Sequence, residues 1–189
     1  MASSLAGHFA EVHVLRADLP GLDNVRAASA AEGWTAASFR LGTPLSHPWP
    51  LETFDCIALH DAIARQNLAT TNLAAVLIGL RGMLRREGWL AVASPTPRFF
   101  RRHRIEPSGI SRRALTRMLF HAKFTEVRCL FVEPGLENPK TIIPASTDAV
   151  AAYEGSDAMR GLTRRTRRVA ATVGLRSALY PAYILLARA

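Results

Sequence analysis

The stretch FDCIALHDAI, Phe54 to Ile63, decides how the rest of the chain is read. It runs apolar from Cys56 to Leu59, then delivers His60 and Asp61 side by side before the pattern turns helical at Ala62. A short continuous apolar run fits a strand covered on both faces, as inside a parallel sheet. In an open sheet of that kind, ligands bind outside the carboxyl ends of the strands, near the point where strand order reverses. The polar pair therefore marks the rim of a crevice.

Working outward, LATTNLAAVLIGLRGMLRREG (68–88) places Leu73, Val76, Leu77, Leu80 and Leu84 at helical spacing, with arginines towards the end, where cations suit the helix dipole. Gly88 is expected to stop that helix, and WLAVASP (89–95) reads as a second buried strand. The same alternation continues. In SRRALTRMLFHAKF, Ser111 stands as N-cap with Ile110 and Leu115 at staple positions, and Leu115, Met118, Leu119 and Ala122 share one face. TEVRCLFVEP (125–134) is the strand that follows, and AYILLAR (182–188) is the last.

Upstream, FAEVHVLRAD (9–18) reads as a strand that stops at Asp18, Pro20 and Gly21. Asp23 to Glu32 reads as a short Ala-rich helix with Gly33 at its C-cap, and Ala36 to Leu41 as a weaker strand. Successive βα units predict an α/β fold, a doubly wound, mainly parallel sheet in a single domain spanning 1–189, with a helical basic insertion at about 145–175 before the last strand.

Composition bounds the function. At 189 residues, 49% apolar and 21% charged, the chain is long enough for one well-packed soluble domain. No apolar run approaches the ~18 residues of a membrane span. The start lacks a basic leader, so a cytoplasmic location is expected. Cys56 and Cys129 each sit in an apolar run, where a free thiol behaves as a small hydrophobe. With no CxxC, HxxxH or HExxH, a metal site is not expected.

The net charge of +9 is uneven, −3 over residues 1–80 and +12 over 81–189. The excess lies in PRFFRRHR (97–104), SRRALTR (111–117) and MRGLTRRTRR (159–168), read chiefly as solvated surface. Nucleic acid is not an expected partner, because aromatics are only 7% and no groove-reading motif is present. Membrane attachment through 158–173 is not expected either, its apolar face being narrow and without aromatic anchors.

Taken in order, these segments resemble the class I S-adenosylmethionine-dependent methyltransferases. PLETFDCIALHDAI is similar to the family segment in which a Phe-Asp pair opens the fourth strand. LRGMLRREGWLAVASPTP is similar to the next helix, the Leu-Arg-Pro-Gly-Gly turn and the fifth strand; Leu84, Arg85 and Gly88 match that turn, while Arg86 and Glu87 depart from it. SRRALTRMLFHAKFTEVR resembles the following helix, Gly-Phe turn and sixth strand, with Lys123 in place of the glycine.

The resemblance covers about residues 5 to 134, and 182–188 suits the family's antiparallel last strand. It implies a Rossmann-like sheet, S-adenosylmethionine as cofactor and a small-molecule or glycan-type acceptor. The family's Gly-rich loop after its first strand has no counterpart, since the chain contains no GxGxG. That first strand is expected to come from a partner or a longer gene product. Without it, the chain reads either as a shortened enzyme or as a cofactor-free scaffold that binds a protein partner or its own copy.

The resemblance also assigns roles. Cofactor contacts fall on Asp18, with Arg16 nearly as well aligned, on Gly42 and Thr43 in LGTPL, where Thr43 replaces the usual acid, and on His60, Asp61 and Ala62. His60 is the candidate catalytic base, its ordinary pKa near 6.5 suiting proton transfer, or alternatively a wall residue packed on the cofactor. Asp61 orients His60, binds the cofactor's amino group or caps the helix that begins near Ala62. Arg98, Arg101, Arg102 and Arg104 are candidates for holding a carboxylate or phosphate of the acceptor.

Overall fold

The computed structural model describes residues 10–16, 19–34, 36–42, 49–60, 70–96, 110–136, 139–155 and 180–189. They fall in two compact units, Met1–Trp49 and Pro50–Ala189. The first is a βαβ unit. Strand β1 (Val12–Arg16) and strand β2 (Ala37–Leu41) pair in parallel, Val12 opposite Ala37 through Arg16 opposite Leu41, with helix α1 (Leu19–Ala31) between them in sequence.

Helix α1 starts earlier than Asp23, the expected start, and takes in Pro20 and Gly21. Proline is tolerated in a first helical turn, where its missing N–H is one that has no intrahelical acceptor anyway. Gly33 ends the helix as expected, at φ 73°, a left-handed conformation in which a Cβ would be strained.

In the second unit, strand β3 (Phe54–His60) and strand β4 (Leu84–Pro95) are parallel neighbours with helix α2 (Thr70–Met83) between them in sequence. Helix α3 (Arg112–His121), strand β5 (Glu126–Glu133), strand β6 (Thr141–Pro144), helix α4 (Thr147–Gly155) and strand β7 (Ala182–Arg188) complete it. The sheet order is β3-β4-β7-β5-β6. Because β7 is antiparallel to both β4 and β5, strands β3, β4 and β5 all run the same way. This is the expected α/β sheet, mainly parallel, with an antiparallel last strand inserted between like-directed neighbours.

Two details differ from the sequence reading. Strand β4 begins at Leu84, not Trp89, directly after α2, and Leu84 pairs with Phe54 across an irregular register. Gly88 thus lies inside the strand, where a Cβ would come 3.0 Å from the Arg85 carbonyl and 3.2 Å from that of Asp55, so its role is close backbone approach. Strand β6 was not expected. It pairs antiparallel with β5 and ends in Pro144. Of the expected helical insertion, α4 is described and 156–179 lie outside the described residues.

The core lies on one face of the five-stranded sheet. Leu59, Leu90, Val92, Leu185 and Phe131 are buried there against Leu73, Val76, Leu77 and Leu80 of α2 and Leu115 and Leu119 of α3. Alternate residues on the other face are different. Cys56 and Ala58 are exposed, while Trp89, Ala91, Ala93, Ile184 and Leu186 are only partly covered. The coverage on both faces that the FDCIALHDAI stretch led one to expect is therefore found on one face of β3.

Ser111 caps α3 as expected, its Oγ accepting from the Ala114 N–H at 3.3 Å. Lys123, at the glycine position of the family turn, has φ 69°, and Glu87, at a glycine position of the other turn, has φ 73°. Both non-glycine residues keep the backbone geometry that favours glycine. Among the described residues, no helix is long and apolar enough to cross a membrane.

Candidate functional site

Side-chain alternation and strand direction bring one set of residues to the carboxyl ends of β3, β4 and β5. His60 ends β3 and pairs with Ala93 of β4, so its backbone stands where the sequence placed the crevice rim. At the same end of β4 lie Ser94, 1% exposed, and Thr96, whose buried Oγ1 has no hydrogen-bond partner among the described residues. The antiparallel β7 begins at this end, and its Tyr183 stands opposite both Ser94 and Phe131.

The Tyr183 hydroxyl donates to the Ile110 carbonyl at 2.6 Å. Burial pushes its pKa up to about 12; the Cys129 thiol adds to the rise, while a hydrogen bond with Ser94 and the Arg112 charge oppose it. Tyr183 is thus a neutral donor at physiological pH. Cys129, on the same face, has its thiol pushed up by burial and partly restored by a hydrogen bond from Arg112. That Arg112 guanidinium also lies 5.8 Å over the Phe131 ring.

At the carboxyl end of β5, Glu133 accepts from the Tyr153 hydroxyl at 3.0 Å, and a buried Glu154 accepts from Tyr180 at 3.5 Å. Tyr180 stacks on Phe131 with centroids 4.4 Å apart. Sequence reasoning missed this tyrosine and carboxylate group because its members come from β5, α4 and the bend that precedes β7, far apart in the chain. An acid at the end of a strand, Glu133, was the one local signal.

In the first unit, Gly42 directly follows β2 with φ 151°, a conformation open to glycine and strained for other residues. This is a physical reason for glycine at that cofactor candidate. Nearby, His13 Nδ1 bonds Ser38 Oγ at 2.5 Å, and its Nε2 meets Glu11 at 3.2 Å, a chain fixed by the β1–β2 register. Trp49 packs edge-on to His13, and Arg40 lies over Trp49.

Of the residues picked from sequence, Gly42 and the backbone of His60 are described, and they belong to different units. Asp18, Thr43, Asp61, Ala62, Arg98, Arg101, Arg102 and Arg104 lie outside the described residues.

No family model and no curated protein matches the chain. Solved structures do. An S-adenosylmethionine-dependent methyltransferase from Archaeoglobus fulgidus superposes with a TM-score of 0.56 at 14% identity, covering 95% of this chain and 86% of that one. A candidate methyltransferase from Bacillus halodurans gives 0.60 at 14% identity, with 99% and 86% covered. The [4+2]-cyclase SpnF gives 0.59 at 14% identity, with 99% and 70% covered. At these identities the likeness is one of fold. The chain has the Rossmann-like α/β architecture of these methyltransferases.

Proposed function

We propose that the chain serves S-adenosylmethionine-dependent methyl transfer to a small-molecule or glycan-type acceptor, with the Gly-rich strand and loop supplied from outside these 189 residues. The observation that carries this reading is the sheet itself: β7 lies antiparallel between two like-directed strands, and the chain superposes on a methyltransferase over nearly its whole length. When bound, the cofactor supplies an electrophilic sulfonium methyl group.

The chain's own residues do the rest. Asp18 would accept hydrogen bonds from the ribose hydroxyls, and Gly42 and Thr43 would contact the adenine. His60 would take the acceptor's proton, and Asp61 and Ala62 would contact the cofactor. Arg98, Arg101, Arg102 and Arg104 hold an anionic group of the acceptor through forked hydrogen bonds.

S-adenosylmethionine carries no phosphate, so its recognition depends on close backbone approach at the Gly-rich loop and on hydrogen bonds to ribose and adenine. Each buried hydrogen bond lost costs about 1 kcal/mol or more, and losing several weakens binding by a few powers of ten. Calorimetric titration is therefore expected to give weak or no binding by the 189-residue chain and clear binding by a version carrying a Gly-rich strand and loop. Micromolar binding by the chain alone would refute the defect. Silence in both favours a second reading, a cofactor-free scaffold, which the missing GxGxG supports.

A further inference from the structure

The strand pair of the first unit has two unlike faces. Side chains alternate along each strand, and paired residues of parallel neighbours share a side. Val14 and Phe39 are partners, and α1 lies on their side, its Arg26 guanidinium 5.6 Å over the Phe39 ring. His13 and Ser38, also partners, and Arg40 therefore stand on the opposite face, where Glu11, just ahead of β1, reaches His13.

On this face a hydroxyl, an imidazole and a carboxylate are joined in a row. Ser38 Oγ lies 2.5 Å from His13 Nδ1, and Glu11 lies 3.2 Å from His13 Nε2. Chemistry fixes the protons in it. A carboxylate only accepts, so Nε2 carries the ring hydrogen and donates it to Glu11; Nδ1 is then the bare nitrogen, and the Ser38 hydroxyl donates to it. A cross-strand tie needs only the serine and the histidine. The carboxylate on the far nitrogen adds what makes a hydroxyl nucleophilic, a base within reach that a third group holds in the right tautomer. The His13 side chain is 22% exposed and that of Glu11 67%, so the row opens to solvent.

We propose that Ser38 is a nucleophile activated by His13 that takes the acyl group of a small activated ester, with Glu11 as a positioning residue. Oγ adds to the carbonyl carbon while its proton passes to Nδ1. The bond from that carbon to the leaving oxygen then breaks, and the proton passes from Nδ1 to that oxygen. The products are an ester at Ser38 Oγ and a free alcohol or phenol. Trp49, edge-on to the imidazole with centroids 5.3 Å apart, offers an apolar wall for a leaving ring. Arg40, 5.2 Å over Trp49, brings a positive charge to the face on which the carbonyl oxygen turns negative. The site lies within the first unit and is independent of methyl transfer.

The test treats the 189-residue chain with p-nitrophenyl acetate and, separately, with a fluorophosphonate. Labelled residues are mapped by peptide mass spectrometry, with the exposed N-cap Ser111 as internal reference. Ser38 is expected to label about 100-fold faster than Ser111, with one p-nitrophenolate released per acetyl group gained. His13→Gln should bring Ser38 down to the Ser111 rate. Glu11→Gln should slow it about tenfold, the exposed carboxylate being screened, and Glu11→Asp should restore most of that loss, a rescue that a purely structural tie would not show.

Equal labelling of Ser38 and Ser111 in the parent chain would overturn the proposal without recourse to any variant. So would unchanged labelling of Ser38 in His13→Gln. Phenolate release that persists undiminished in Ser38→Ala would also overturn it, since another group would then be the nucleophile.

Discussion

The two faces of the five-stranded sheet are made from the same strands, residue by residue in alternation, yet they live in different environments. Leu185 is fully buried under α2 and α3, whereas Leu186, its neighbour on β7, points to the other face and is only partly covered. Likewise Leu90 and Val92 are buried, and Ala91 and Ala93 are not. An apolar strand composition thus records a capacity to be covered on both faces. Which face is covered depends on helices elsewhere in the chain, or on a partner.

The adjacent leucines give the largest test of this difference. Leu185→Ala is expected to destabilise by about 3 kcal/mol, the transfer term plus an unfilled cavity, and Leu186→Ala by about 1 kcal/mol, since water already reaches it. Urea unfolding monitored by circular dichroism measures both. Equal losses would show that the second face is as tightly packed as the first.

A pH test sharpens the same contrast on the packed face. The Tyr183 pKa is raised from 10 to about 12 in the folded chain, so between these values the folded state holds a proton that the unfolded state has lost. Stability contributed by the neutral hydroxyl is complete below pH 10 and falls as pH rises through 12, by about 3 kcal/mol in all. Tyr183→Phe, which also forfeits the hydrogen bond to Ile110, should be less stable than the parent at pH 8 and lose less on going to pH 11. Parallel pH curves for the two proteins would refute this.

Much of this architecture was legible in the sequence, for physical reasons tied to particular residues. The spacing of Leu73, Val76, Leu77 and Leu80 has one good solution, a helix laid on a sheet, and Ser111 followed by an amphipathic run fixes a helix start. Thr141–Pro144 was not legible because a four-residue edge strand is defined by its partner β5, not by its own pattern. The open face of β3 was invisible for a related reason: burial is a property of the assembly, and FDCIALH would read the same if covered. The positions of His60 and Gly42, each at the end of a strand in its own unit, were legible from strand ends. The group of Tyr153, Tyr180, Glu133 and Glu154 has no local signature.

The smallest expected effects concern the two left-handed residues, one serving each face. Lys123 is exposed, and its turn sets Phe124, 2% exposed, into the packed core, with the Phe124 N–H donating to Leu119 at 3.1 Å. A non-glycine residue there costs about 1 kcal/mol, so Lys123→Gly should stabilise by up to about 1 kcal/mol, less the entropy that glycine adds to the unfolded chain. Glu87 carries the same backbone strain, but its carboxylate pairs with Arg188, which projects on the open face beside Trp89, Arg128 and Glu126. Glu87→Gly relieves the strain and breaks that pair, so its net effect should lie within about 0.5 kcal/mol of zero. Thermal unfolding of the two variants separates them. If Glu87→Gly stabilised as much as Lys123→Gly, the pair with Arg188 would contribute nothing, and the open face would be held by its backbone ladder alone.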